Sequence, residues 1–305
     1  CAMAAQKVAS GSEGVVVAGG VESMSRVPMF GDQGAWFADK GVARRTRFVP
    51  IGIAADLVAT REGFTREELD AYAVQSHRRA AAAQADGRFA NSLVPVVDAE
   101  GAEVLASDEN VRPDTDADKL AALPAFFEEM GRKGYDALVL ETYPEVGAVR
   151  HMHTVANAPA AADGAAAVLV ASRAGAGANG WTPRARVRAV ATAADCPVLT
   201  LTAGGLAAEK ALASAGVAAG DIDVWEVNEA FAVVPLKMMR DLDIDPARFN
   251  PNGGAIAMGH AMGATGAMLV NMAIDELERR DGTLALVAVV GGAGLAAAMV
   301  LERQS

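Results

Sequence analysis

Taken as alternating apolar and polar stretches, the chain reads as short strand-like runs between helical ones. Residues 2–10 (AMAAQKVAS) have the make-up of a helix body with no capping residue ahead of it. Residues 13–20 (EGVVVAGG) form a short apolar run into a glycine turn, the pattern of a buried parallel strand. Residues 21–50 read as loop, with Pro28, Gly31, Gly34 and the basic cluster Arg44, Arg45 and Arg47. A helix is predicted over 51–61. A second opens where Thr65 and Glu68 make a capping box and runs to Asp86, with Gly87 as its stop. Residues 91–150 predict short strands and loops around a helix at 119–131, and 163–172 (DGAAAVLVAS) predicts another buried strand.

The small, flexible stretch 174–180 (AGAGANG) is the best boundary in the chain. Beyond it the pattern predicts strand 184–194, helix 204–215, strand 221–226, helix 229–240, a glycine-rich segment 253–266, helix 264–279, and strands 283–290 and 295–302. Such alternation calls for an α/β sheet with helices on its faces. A faint repeat runs through this order: helix, strand and Gly-Gly turn occur at 1–20 and again at 264–292. The second copy is led by a glycine-rich turn, 259–266 (GHAMGATG), whereas nothing precedes the first, so the start of the first copy is expected to lie outside the chain.

Composition changes the picture in three ways. The formal charge of −11 argues against nonspecific binding to nucleic acid or anionic membranes, while leaving room for a local basic site. No apolar run reaches the roughly 20 residues that span a bilayer, and no signal peptide is visible. Cys1 and Cys196, the only cysteines, neither build a disulfide scaffold nor make a zinc site by themselves, so the expected setting is reduced and cytoplasmic. A chain that opens on Cys rather than Met is also expected not to begin at a native start.

Three segments carry specific chemistry: 227–232 (VNEAFA), 252–260 (NGGAIAMGH) with 263–266 (GATG), and the glycine turn 291–294. Together with 19–25 (GGVESMS) and the stretch from Gly52 to the helix ending near Asp86, their order and spacing resemble the thiolase family over nearly the whole chain. The resemblance implies an α/β thiolase fold, two similar βαβαβ halves stacked as five layers with a loop domain inserted into the first, here incomplete, half. Residues 1–25 would be the remainder of the N-terminal half, 26–150 the loop domain, 151–173 the last strands of the first half, and 174–305 the C-terminal half. It further implies an acyl-CoA acyltransferase that thiolyses 3-ketoacyl-CoA or condenses acetyl-CoA. Coenzyme A would be substrate rather than bound cofactor, and the complete protein a homodimer or homotetramer.

In such chemistry a cysteine thiolate at a helix N-terminus takes the acyl group, a histidine helps activate it, a second cysteine moves a proton, and two oxyanion sites hold developing charge. By resemblance His260 is the catalytic histidine, Asn228 the amide that positions a water in its oxyanion site, and Gly292 the backbone donor of the second site. Read without the resemblance, His260 is a helix-cap histidine, Asn228 a turn residue, Gly292 a turn glycine, and Glu229 a buried structural carboxylate.

The departures are as informative. The matching nucleophile would lie several residues upstream of Cys1, which falls opposite Ala267 in the repeat and reads as a small buried helix residue. The second cysteine's place, before the last glycine turn, is read as Val290, which carries no proton. Cys196 reads as a plain loop cysteine. On the coenzyme A side the resemblance points to Arg112 at the nucleotide end and to 154–159 along the pantetheine arm, where Ala156 and Pro159 sit and Pro159 replaces a serine hydroxyl. His151 and His153 read as loop histidines with no carboxylate nearby, hence no metal site, and His77 as solvated on its helix. Three readings follow: an enzyme of longer or bulky acyl-CoAs, impaired as this chain; a non-catalytic subunit that binds coenzyme A or a partner; and a related lyase or hydrolase.

Overall fold

A computed structural model describes residues 1–304. The chain opens with helix α1 (Ala2–Ala9) and strand β1 (Val15–Ser23), and later supplies β4 (Asp163–Ala171), which pairs antiparallel with β1 from Val15↔Ala171 to Ser23↔Asp163. The expected buried parallel strand at 13–20 is therefore half of an antiparallel ribbon. One face packs on a helix; from the other, Val17 (70% exposed), Val21 (71%) and Leu169 (50%) project outward. Because small and apolar residues fill both faces, the period of two was hidden in the sequence.

Between β1 and β4 lie α2 (Ile51–Glu62), α3 (Arg66–Ala85) and the hairpin β2 (Val96–Val97) with β3 (Glu103–Leu105). The Thr65–Glu68 capping box forms as expected. The single helix expected at 119–131 does not. Residues Ala117–Ala121 are helical, then Pro124, which lacks an N–H and disfavours helix before it, breaks the run; helix resumes at Glu128, is kinked at Gly134, whose φ of 120° is not helical, and restarts to run to Thr142. The stretch 174–180 is likewise more ordered than expected: Arg173–Ala178 is a short helix whose first turn is capped by Ser172.

The rest is β5 (Ala185–Ala194), α4 (Ala203–Ala215), β6 (Val224–Val227), α5 (Val233–Asp241), α6 (Met262–Arg280), β7 (Leu284–Gly291) and β8 (Leu295–Arg303). The four strands make a mixed sheet in the order β5-β8-β7-β6, with only β6 and β7 parallel. Helix α4 covers one face and α6 the other, and the β1–β4 ribbon lies on the far side of α6. The layers thus run helix, sheet, central helix, ribbon. At the ribbon contact Gly20 and Gly263 meet backbone to backbone: a Cβ on Gly20 would lie 1.9 Å from the Gly263 carbonyl oxygen. That approach docks the first turn of α6 against β1.

Strand β6 is buried along its length, Glu226 included, and neither Glu226 carboxyl oxygen has a partner among the described residues. Burial pushes its pKa well above the ordinary 4.5, and the nearby Glu276 and Glu229 push it further. A carboxyl whose folded pKa is raised supports the fold fully below its unfolded value and loses that support as pH climbs from there towards the folded value. Glu226→Gln removes this dependence. It is expected to stabilise the protein more at pH 7 than at pH 4.5, because only the parent carboxyl loses its support over that range. Urea titrations at the two pH values check this; a variant whose stability relative to the parent is no higher at pH 7 than at pH 4.5 would refute it.

Candidate active site

The site is built where the end of β6 meets the turn leading into α6. Asn228 follows β6, buried, with its N–H donating to the Ala288 carbonyl at 3.0 Å. His260 precedes α6, and its N–H donates to the Ala160 carbonyl at 2.9 Å. The two side chains touch, Asn228 Nδ2 lying 3.4 Å from His260 Nε2. The other imidazole nitrogen, Nδ1, is 2.8 Å from Thr265 Oγ1, and that hydroxyl donates to the Ala261 carbonyl at 2.9 Å. With its proton so committed, the Thr265 oxygen accepts, so Nδ1 carries the hydrogen and Nε2 presents a lone pair to Asn228. Burial holds the His260 pKa below the usual imidazole value, against an upward pull from Glu22. Asn228 Oδ1 is buried without a partner among the described residues, as an acceptor awaiting a water or a ligand donor would be.

Glu229 does not enter this site. Its carboxylate accepts from Tyr72 Oη (2.6 Å), Ser76 Oγ (2.8 Å), Asn250 Nδ2 (3.0 Å) and the Ile256 N–H (3.0 Å), tying α3 to both active-site segments. Gly254 is required here, since a Cβ would lie 2.3 Å from the Glu229 carboxyl carbon. The helix expected from 229 starts only at Val233, because 228–232 are spent on these interior contacts.

The glycine turn also differs from expectation. Strand alternation puts the two valines before it on opposite faces of β7. Val290 packs towards α4, its Cγ1 2.8 Å from where a Cβ of Gly204 would stand, whereas Val289 Cγ2 is 4.0 Å from the corresponding point on Gly266 of α6. Val289 is also only half-buried in an otherwise buried stretch of β7. The side chain that faces the His260 helix is therefore that of Val289, not Val290. Gly292 is exposed in the turn, with the Trp36 ring 3.9 Å from its would-be Cβ.

Ala156 and Pro159 sit half-buried on the segment leading to Ala160, and so reach the neighbourhood of His260. Arg112 is exposed on a separate segment packed against α3, its N–H donating to His77 Nδ1 at 3.1 Å. His77 is thus buried rather than solvated, and burial lowers its pKa, with Arg112 adding to the effect. His151 and His153 are not free loop histidines either: both bond to Asp56, a fully buried carboxylate in the apolar stretch of helix α2. No cluster among the described residues has the make-up of a metal site. Cys1 is half-buried at the start of α1, and Cys196 lies half-buried in the loop before α4. A cavity of about 920 Å³ opens on the far side of the 258–261 turn, between the β2–β3 hairpin and β4; it touches Gly259 and Ala261 but not the His260 side chain.

Sequence reasoning did not single out Thr265, Trp36 or Asp56. Thr265 lay inside a quoted motif, and a lone Asp within 51–59 (IGIAADLVA) was a visible anomaly.

Comparison with known proteins gives the family of the chain. Residues 1–133 match the thiolase N-terminal domain and residues 181–303 the thiolase C-terminal domain. A 3-ketoacyl-CoA thiolase of Shewanella frigidimarina is 37% identical over 309 residues, covering 98% of this chain and 74% of the relative. The 3-oxoadipyl-CoA/3-oxo-5,6-dehydrosuberyl-CoA thiolase of Escherichia coli is 36% identical over 98% of this chain and 75% of its own. Among solved structures, human mitochondrial 3-ketoacyl-CoA thiolase superposes with a TM-score of 0.84 at 30% identity, over 98% of this chain and 74% of that one; its complex with CoA gives 0.82. No helix of the described residues is long and apolar enough to cross a membrane. With both halves matched and the fold shared, the chain belongs to the thiolase family of acyl-CoA acyltransferases.

Proposed function

We propose that the chain binds an acyl-CoA thioester against Asn228 and His260 and serves thiolase chemistry, thiolysis of a 3-ketoacyl-CoA or condensation of acetyl-CoA. The observation that carries this is the Asn228–His260 contact together with the unpartnered Asn228 Oδ1. A water donating to Oδ1 would turn its other O–H to the thioester oxygen, and so hold the negative charge that develops there in an enolate or tetrahedral intermediate. The Nε2 lone pair of His260 can take a proton from an attacking thiol. Ala156 and Pro159 would flank the pantetheine arm and Arg112 would meet the nucleotide end. Gly292 would supply its N–H to the second oxyanion site.

A valine at both 289 and 290 leaves no group before the glycine turn to move the α-carbon proton, so turnover by this chain is expected to be impaired. The same valines, with Pro159 in place of a hydroxyl, favour a second reading, a subunit that holds coenzyme A without breaking carbon–carbon bonds. Calorimetric titration with acetyl-CoA and acetoacetyl-CoA tests binding. Asn228→Ala and His260→Ala are each expected to weaken acetyl-CoA binding up to about tenfold, through loss of the water-bridged hydrogen bond to the thioester oxygen or of the contact that positions it. Parent and variants binding alike would refute the site. Acetoacetyl-CoA cleaved by the parent at a normal enzymatic rate would refute the impairment, and binding without cleavage would favour the second reading.

A further inference from the structure

Asp56 is fully buried on α2 and accepts four hydrogen bonds: from His151 Nδ1 and His153 Nδ1, both at 2.8 Å, and from the Met152 (3.0 Å) and His153 (2.9 Å) N–H groups. His151 is bonded on its other side to Asp136, Nε2 to Oδ2 at 3.1 Å. The chain leaving this clasp runs straight through the proposed site. Asn157 is held by Asp70 (Nδ2 to Oδ1, 2.8 Å), and its carbonyl accepts from the Ala232 N–H at 3.0 Å, fixing the segment that carries Asn228. Three residues on, the Ala160 carbonyl accepts from the His260 N–H. The His153 ring meets Phe231 edge to face, with centroids 5.2 Å apart, a second link to that segment.

We propose that Asp56 is a positioning residue for acyl transfer: by clasping His151 and His153 it fixes the strap 151–160, which in turn sets Asn228 and His260 against each other. The proposal rests on the thioester-binding reading above and assigns a role to a residue that touches no substrate. The charges suit a permanent clasp. Hydrogen bonding to Asp56 lifts the His151 pKa to about 9, against burial, with Asp136 adding to the rise. Although burial opposes it, Asp56 is held below the ordinary carboxylate value by the two histidines. At neutral pH the clasp is an imidazolium between two carboxylates, and the Met152 and His153 N–H groups with His153 Nδ1 help Asp56 carry its charge in the interior.

The experiment uses residues 1–305 and four variants: Asp56→Asn, the milder His151→Gln, Arg184→Ala as a control, and His260→Ala for assignment. Arg184 bonds Asp275 and Glu278 in a network remote from the strap. Three quantities are read: thermal midpoint, acetyl-CoA affinity by calorimetry, and the ring resonances of His260 without ligand, assigned by its loss in His260→Ala. Asp56→Asn and His151→Gln are expected to shift the His260 ring signals and weaken acetyl-CoA binding about tenfold, since sub-ångström misplacement is costly at such sites. The control should lower the midpoint and leave both other readouts unchanged. If Asp56→Asn does not fold, His151→Gln decides. A folded strap variant with parental His260 signals overturns the proposal, whatever its midpoint, and so does a control that shifts them equally. A parent that fails to bind acetyl-CoA defeats the thioester reading alone, because the ring signals still report on the strap.

Discussion

Val289→Cys is expected to accelerate exchange of the methyl protons of acetyl-CoA with solvent deuterium by roughly 10²–10⁴-fold, the usual contribution of a positioned base. The introduced thiolate would remove a proton from the α-carbon, the electrons of that C–H bond passing into the C–C bond as the carbonyl oxygen becomes enolate. The enolate oxygen would be held by the water on Asn228, and a deuteron would return from the thiol to carbon. The assay needs no acyl-enzyme, so it isolates the proton-transfer half of the chemistry. Val290→Cys should exchange at the buffer rate, because that side chain is turned towards Gly204 and α4, whereas Val289 looks towards Gly266 at the start of α6. Combining Val289→Cys with Asn228→Ala should abolish the gain. Mass spectrometry of recovered acetyl-CoA reads the result; acceleration by Val290→Cys and none by Val289→Cys would show the face assignment to be wrong.

The second large effect concerns the frame behind the site. Glu229→Leu is expected to destabilise the protein by roughly 3–5 kcal/mol, since it strands the donors of Tyr72, Ser76, Asn250 and Ile256 in the interior. Glu229→Gln keeps the volume but turns one acceptor into a donor facing donors, and should cost about 1–3 kcal/mol. Burial already raises the Tyr72 pKa well above its normal value, with Glu229 adding to this, so Tyr72 stays a hydroxyl donor across the working pH range. Urea denaturation of the two variants checks the ranking. A leucine variant within about 1 kcal/mol of the parent would mean the four contacts do not hold the segments together.

Much of the site was legible because its chemistry is local in sequence. Asn228 and His260 each sit in a distinctive short block, and their meeting follows from a strand end and a helix start on one side of a sheet. The capping box at Thr65 and the stop at Gly87 were equally readable, being contacts within one turn. Long-range partnerships were less so. The ribbon's antiparallel pairing joins residues some 140–156 positions apart and leaves no mark on an apolar run. Asp56 and the histidines at 151 and 153 are about a hundred residues apart, and neither segment names the other. The valine facing the site could not be chosen by motif alone, because neighbouring strand residues differ only in which way they point.

The glycine-to-glycine contact between Gly20 and Gly263 has a mechanical meaning. With no side chain between them to act as a cushion, the ribbon and the helix that begins two residues after the His260 imidazole rest backbone on backbone. A methyl group added at either glycine would wedge the two apart and shift the turn that carries His260.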